Sequence, residues 1–196
     1  MKTGLYFGSF NPVHIGHMAI ANYIYEYSEL DEIWFVVSPH NPLKDKSSLL
    51  PGHHRLRLVE MAIGDDRRFS VSDIESSLPQ PSYTIDTLSY LREGYSTRRF
   101  ALIMGSDNLY TIHKWKNAEM LLDTCKLFVY PRRNKGKEVP PLVKSMIQSA
   151  DIEIVEAPQI EISGTFIRSA IREGKDIRHF LPPGVWQYIK DMQFYE

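Results

Sequence analysis

The sequence predicts an α/β fold: a doubly wound parallel sheet, with a small helical portion at the C-terminus. Three observations predict it. Short apolar runs of strand type alternate with segments of helical spacing along the chain, which is the pattern of βαβ units and of a sheet covered on both faces. Polar, turn-forming segments follow the first, second and fourth of these runs, where sheets of this kind bind ligands. The 196 residues contain no long Ser/Gly/Pro linker, so one domain spanning 1–196 is expected, large enough for a sizeable core.

The strand-like runs lie at Gly4–Phe7, Glu32–Ser38, Phe69–Ile74, Arg99–Met104, Lys126–Tyr130 and Ile152–Val155. Helical spacing covers Gly16–Glu29, Gly52–Ile63, Thr84–Arg92, Asn108–Leu122, Pro140–Gln148 and Thr165–Glu173, with a last helix from Pro183 to about Met192. Between the first run and the first helix, Gly8, Asn11 and Pro12 mark a tight turn. The single cysteine, Cys125, cannot form an intramolecular disulfide and reads as a buried strand residue at the head of the apolar run Cys125–Tyr130.

A hydrophobic content of 43%, a charged content of 24% and a net charge of −1 are ordinary for a globular protein. They argue against bulk nucleic acid as a partner. With no signal peptide and no apolar run of membrane-spanning length, no membrane partner is expected and a cytoplasmic location is.

The segment Gly8-Ser-Phe-Asn-Pro-Val-His-Ile-Gly-His17 carries the first chemical signal. It places a helix N-terminus directly after a buried strand, and such an end offers free N–H groups and partial positive charge to an anion. Gly16 lets a ligand approach the backbone without meeting a Cβ. His14 and His17 fall on neighbouring positions of the first turn, where both rings can donate to one phosphate. A histidine pair at this spacing also occurs as a capping or packing feature, and as a metal signal it is weak.

The second signal is Ile162-Ser-Gly-Thr-Phe-Ile-Arg168. Ser163 is a natural N-cap, Thr165 falls in the first turn, and Arg168 projects from the same helix. Alone it reads as a capped amphipathic helix; beside the first segment it reads as hydroxyls, N–H groups and a guanidinium for a polyphosphate. Neither a Walker A sequence nor a GxGxxG turn accounts for phosphate binding here. His53 and His54, next to Arg55 and Arg57, read as capping or surface residues.

The first segment resembles the T/HxGH signature of the HIGH-motif nucleotidyltransferase superfamily, and the second resembles its ISxTxIR element. The order and placement of the two also match. Four further segments narrow the resemblance to the bacterial nicotinate (nicotinamide) mononucleotide adenylyltransferases. These are Ser38-Pro-His-Asn-Pro-Leu-Lys44, Ser82-Tyr-Thr-Ile-Asp-Thr-Leu88, Gly105-Ser-Asp-Asn-Leu109 and the tryptophan Trp115. Taken singly, Trp115 reads as a packing anchor. Two features depart from the family pattern: Phe7-Gly8-Ser9 has one glycine fewer than the usual first turn, and the second loop carries Lys44 at a shifted spacing.

The resemblance implies a Rossmann-like nucleotidyltransferase fold and transfer of the adenylyl group of ATP to nicotinate mononucleotide, with Mg²⁺ as cofactor and no dedicated metal cage. It implies His14, His17 and Arg168 as catalytic residues. Gly8, Ser9, Phe10, Gly16, Gly105, Asp107, Ser163 and Thr165 would bind ATP and its phosphates. Lys44, Tyr83, Thr84, Trp115 and Arg133 would serve the mononucleotide, with the backbone at Tyr83–Thr84 facing the pyridine carboxylate and Trp115 stacking on the ring. Phosphopantetheine adenylyltransferase and a non-catalytic dinucleotide-sensing domain are the alternatives. Homo-oligomerisation is left open by the sequence.

Overall fold

In the computed structural model, which describes residues 1–39, 49–132 and 138–196, the strands are β1 (Lys2–Gly8), β2 (Glu32–Val37), β3 (Phe69–Ser72), β4 (Arg99–Gly105), β5 (Lys126–Tyr130) and β6 (Ile152–Ile154). They form one parallel sheet in the order β3-β2-β1-β4-β5-β6. β1 is central, with Leu5 opposite Trp34 on one side and Leu102 on the other. Strand order reverses between β1 and β4, so the crevice at their carboxyl ends is the switch point where such sheets bind ligands.

Successive strand residues face opposite layers. Ile33, Phe35 and Val37 of β2 enter one core with Tyr6 and Phe128, while Trp34 and Val36 enter the other with Leu5, Leu102 and Leu127. The first core is closed by α1 (Ile15–Glu26), α2 (Gly52–Ile63), α7 (Gly164–Arg172) and α8 (Pro183–Asp191). The second is closed by α3 (Thr84–Gly94), α5 (Ala118–Thr124) and α6 (Pro141–Met146). All six residues of β2 are buried, as a strand covered on both faces requires.

The structure corrects the expected helix Asn108–Leu122. It is interrupted: α4 (Ser106–Leu109) is followed by a 3₁₀ turn at Ile112–Lys114, Trp115 in extended backbone and Asn117 in left-handed backbone at φ 49°, before α5 starts. Asparagine is among the few residues that enter this region readily, and the break takes Trp115 out of a helix. β3 also ends at Ser72, and Ile74–Ser77 forms a 3₁₀ turn in place of further strand. Among the described residues no helix is long and apolar enough to cross a membrane.

Candidate active site

The turn after β1 folds back on itself. Phe10 sits in left-handed backbone at φ 43°, and its ring lies so close to Gly8 that a Cβ there would meet it at 2.8 Å. The Phe10 side chain is 1% exposed and packs edge-on to Tyr6 and His17. Its ring belongs to the core.

His14 is the N-cap of α1 rather than a residue of its first turn, and His17 is the third helical residue. Their rings stack at 3.7 Å between centroids. The His14 backbone N–H donates to His17 Nδ1 at 3.2 Å, so in the neutral ring the His17 proton sits on Nε2. His14 is 2% exposed, and burial, with Arg132 adding to it, lowers its pKa to about 4. It is therefore neutral at pH 7 and acts through hydrogen bonding rather than charge. Its Nδ1 is buried without a partner among the described residues. A Cβ on Gly16 would meet that nitrogen at 3.0 Å, so the glycine makes room for the ring.

The second phosphate element closes on the first. Ser163 caps α7 by accepting the Phe166 N–H at 3.2 Å. Arg168 Nη1 donates to the backbone oxygen of Asn11 at 2.7 Å, and its Nη2 reaches Thr165 Oγ1 at 3.4 Å. Gly164 permits the contact, since a Cβ there would stand 2.8 Å from Asn11 O. Residues 157 apart in sequence thus form one cradle.

The floor of the cleft comes from β1, β4 and β5. The cleft is lined by Tyr6, His14, His17, Tyr130, Arg132 and Ile160 among others. The Tyr6 and Tyr130 hydroxyls are 3.2 Å apart, and Arg132 lies over the Tyr130 ring. Arg132 Nη1 donates to Asp107 Oδ2 at 3.3 Å, while its backbone N–H donates to Ser106 Oγ at 3.0 Å. Gly105 is the residue that admits this packing: a Cβ would meet Asp107 Oδ1 at 2.4 Å and Arg132 Cδ at 2.8 Å.

Tyr83 is the N-cap of α3 and Thr84 its first residue. Tyr83 is 40% exposed, with Lys116 Nζ 4.9 Å above its ring. Lys116 is also paired with Asp86 at 2.7 Å. Trp115, the residue before it, is half-buried against the second core. Lys44 and Arg133 lie outside the described residues.

Sequence reasoning missed Arg55 and Arg132. Arg55, which the sequence showed only as a neighbour of His53 and His54, is 1% exposed and donates to four carbonyls: Leu50 at 2.8 Å, Ser9 at 2.8 Å, Ser38 at 2.7 Å and Pro39 at 2.9 Å. It pins the loops after β1 and β2 together. The signal was its spacing from the buried Leu58 and Val59, three and four residues on, which marks the apolar face of α2. Arg132 stands two residues beyond Tyr130, on the same side of an extended chain. His54, by contrast, hydrogen-bonds Tyr188 at 3.0 Å.

A parallel sheet in this order, with the start of α1 and Arg168 of α7 meeting over the loop after its central strand, defines an α/β protein of Rossmann-like topology. The chain belongs to the cytidylyltransferase-like family, whose sequence model matches residues 5–170. It is 50% identical to a Flavobacterium johnsoniae protein named probable nicotinate-nucleotide adenylyltransferase, over 100% of both chains. It is 48% identical to a Bacteroides thetaiotaomicron protein of the same name, over 97% of this chain and 92% of that one. Among solved structures, the Plasmodium falciparum nicotinic acid mononucleotide adenylyltransferase complexed with NaAD shares the fold with a TM-score of 0.81 at 21% identity, covering 99% of this chain and 97% of that one.

Proposed function

We propose that this chain is the enzyme that transfers the adenylyl group of ATP to nicotinate mononucleotide, a step of NAD biosynthesis. The near-50% identity to full-length nicotinate-nucleotide adenylyltransferases supports the activity. The observation that carries the chemistry is the meeting of the two phosphate elements, with Arg168 on Asn11 O at 2.7 Å beside the stacked histidines. An oxygen of the mononucleotide 5′-phosphate bonds to the α-phosphorus, the bond from that phosphorus to the bridging oxygen breaks, and pyrophosphate leaves. No protein nucleophile is needed, so positioning and charge stabilisation supply the acceleration.

In this reading His17 Nε2 and the neutral His14 donate to the α-phosphate and the attacking phosphate. Ser163, Thr165 and Arg168 hold the departing β- and γ-phosphates, and Gly8, Ser9 and Gly16 offer backbone at close range. Gly105 and Asp107 face the nucleoside, while Thr84 and Trp115 serve the pyridine. Mg²⁺ belongs to the same proposal. Among the described residues no group of three His, Cys, Asp or Glu side chains could hold a metal, and Asp107, bonded to Arg132 of the cleft lining, is the carboxylate that would stand beside the ion. When bound, Mg²⁺ would neutralise phosphate charge. A cytoplasmic location accords with the buried free thiol of Cys125.

The test is pyrophosphate release with ATP and Mg²⁺, comparing nicotinate mononucleotide, nicotinamide mononucleotide and phosphopantetheine. Strong preference for the acid is expected. Comparable use of the amide would overturn the specificity, turnover with phosphopantetheine alone would reassign the substrate, and no release with any of them would indicate a sensing domain.

A further inference from the structure

We propose that Tyr195 is a positioning residue for the triphosphate of ATP, acting through Asn11 on the first loop and on Arg168. The inference rests on the reading that this loop and Arg168 hold the triphosphate. Tyr195 is the penultimate residue, 184 positions from Asn11, and its hydroxyl donates to Asn11 Oδ1 at 2.7 Å. The same oxygen accepts the Leu50 N–H at 3.2 Å. On its main chain, Asn11 accepts Arg168 Nη1. One residue, 7% exposed, thus receives the chain terminus on its side chain and the phosphate arginine on its backbone.

The tail takes uncommon backbone to reach that point. Gln193 and Tyr195 both lie in the left-handed region, at φ 53° and 70°. Such conformations in non-glycine residues persist where the surroundings over-determine them. Here the Gln193 and Phe194 N–H groups donate to Lys190 O and Ile189 O at the end of α8, and Lys190 pairs with Glu196. The Phe194 ring packs on His54 at 4.8 Å, next to the residue Arg55 that holds Ser9. Burial raises the Tyr195 pKa well above that of a free phenol, so the hydroxyl keeps the proton it donates.

Removing this hydroxyl leaves the ring in place but releases Asn11 Oδ1 from the terminus. The freed loop then holds Arg168 less firmly, and the effect falls on ATP rather than on the acceptor nucleotide. Tyr188→Phe is the control, since it removes a hydroxyl from α8, the helix just before the tail, and that hydroxyl bonds His54 instead of Asn11.

The experiment is ATP affinity by calorimetry, together with steady-state kinetics, on wild type, Tyr195→Phe, Tyr188→Phe and a chain ending at Phe194. Tyr195→Phe is expected to weaken ATP about tenfold in Kd and to raise KM for ATP similarly, with KM for the mononucleotide unchanged. The shortened chain should lose at least as much, and Tyr188→Phe should match wild type. Wild-type ATP affinity in Tyr195→Phe would overturn the proposal. So would equal losses on both nucleotides matched by Tyr188→Phe, which would mark general packing. If wild type binds ATP but releases no pyrophosphate with any acceptor, the transfer reading fails, while the ATP affinities still decide the role of Tyr195.

Discussion

The loop after β1 is closed in, with Asn11, His14 and Arg55 all buried and the loop bonded to α2, α7 and the C-terminal tail. The start of α3 is open by comparison: Tyr83 is exposed, and the Lys116–Asp86 pair beside it lies on the surface. On the proposed function the difference follows from what each region would have to do. Reacting phosphates need donors fixed before the reaction, because reorganisation during bond exchange costs rate. A base that does not react can be gripped by side chains that adjust as it binds.

The largest expected effect breaks the closed end. His17→Ala removes the Nε2 donor and should lower kcat by about two to four orders of magnitude, with an unchanged circular dichroism spectrum. Near-normal turnover in the folded variant would take His17 out of catalysis. Arg55→Met is next, since it strips the guanidinium from four carbonyls while keeping much of the side-chain volume. A loss of about 3–5 kcal/mol in urea unfolding is expected, from buried acceptors left unpaired. A loss under about 1 kcal/mol would mean that water replaces the guanidinium.

His14 sharpens the comparison through pH. Folding holds its pKa at about 4 against an ordinary 6.5, so between those values the unfolded chain binds a proton that the folded one refuses. The contribution of His14 to stability therefore falls as pH drops from 6.5 to 4, by about 3 kcal/mol in all, and changes no further below. Urea titrations at pH 7 and pH 4.5 should show a smaller decline in His14→Gln than in wild type; equal declines would place the sensitivity elsewhere. The smallest effect belongs to the open end. Trp115→Ala should raise KM for the pyridine nucleotide about tenfold and leave KM for ATP unchanged, and equal changes in both would make the tryptophan a packing residue.

Much of this molecule was legible in short stretches of sequence. Apolar runs and helical spacing located the six strands, and the GSFNPVHIGH and ISGTFIR segments located the two helix starts that meet in the fold, because strand pleat, helix turn and N-cap are set by residues within a few positions of each other. The interrupted helix before α5 was not legible, since Asn117 in left-handed backbone overrides a spacing that reads as continuous. Nor was the fate of Phe10, whose ring turns inward only because Gly8 leaves it space.

By itself, then, the sequence determined the alternating architecture and the chemistry offered at two helix starts. Only the tertiary structure decided how that chemistry is held: Arg55 buried among carbonyls, Arg168 on Asn11 O, and the C-terminal Tyr195 on Asn11 Oδ1. These contacts join residues 46, 157 and 184 positions apart. No local periodicity encodes such distances, because they exist only after the sheet has ordered its strands and brought loops from both ends of the chain to one edge.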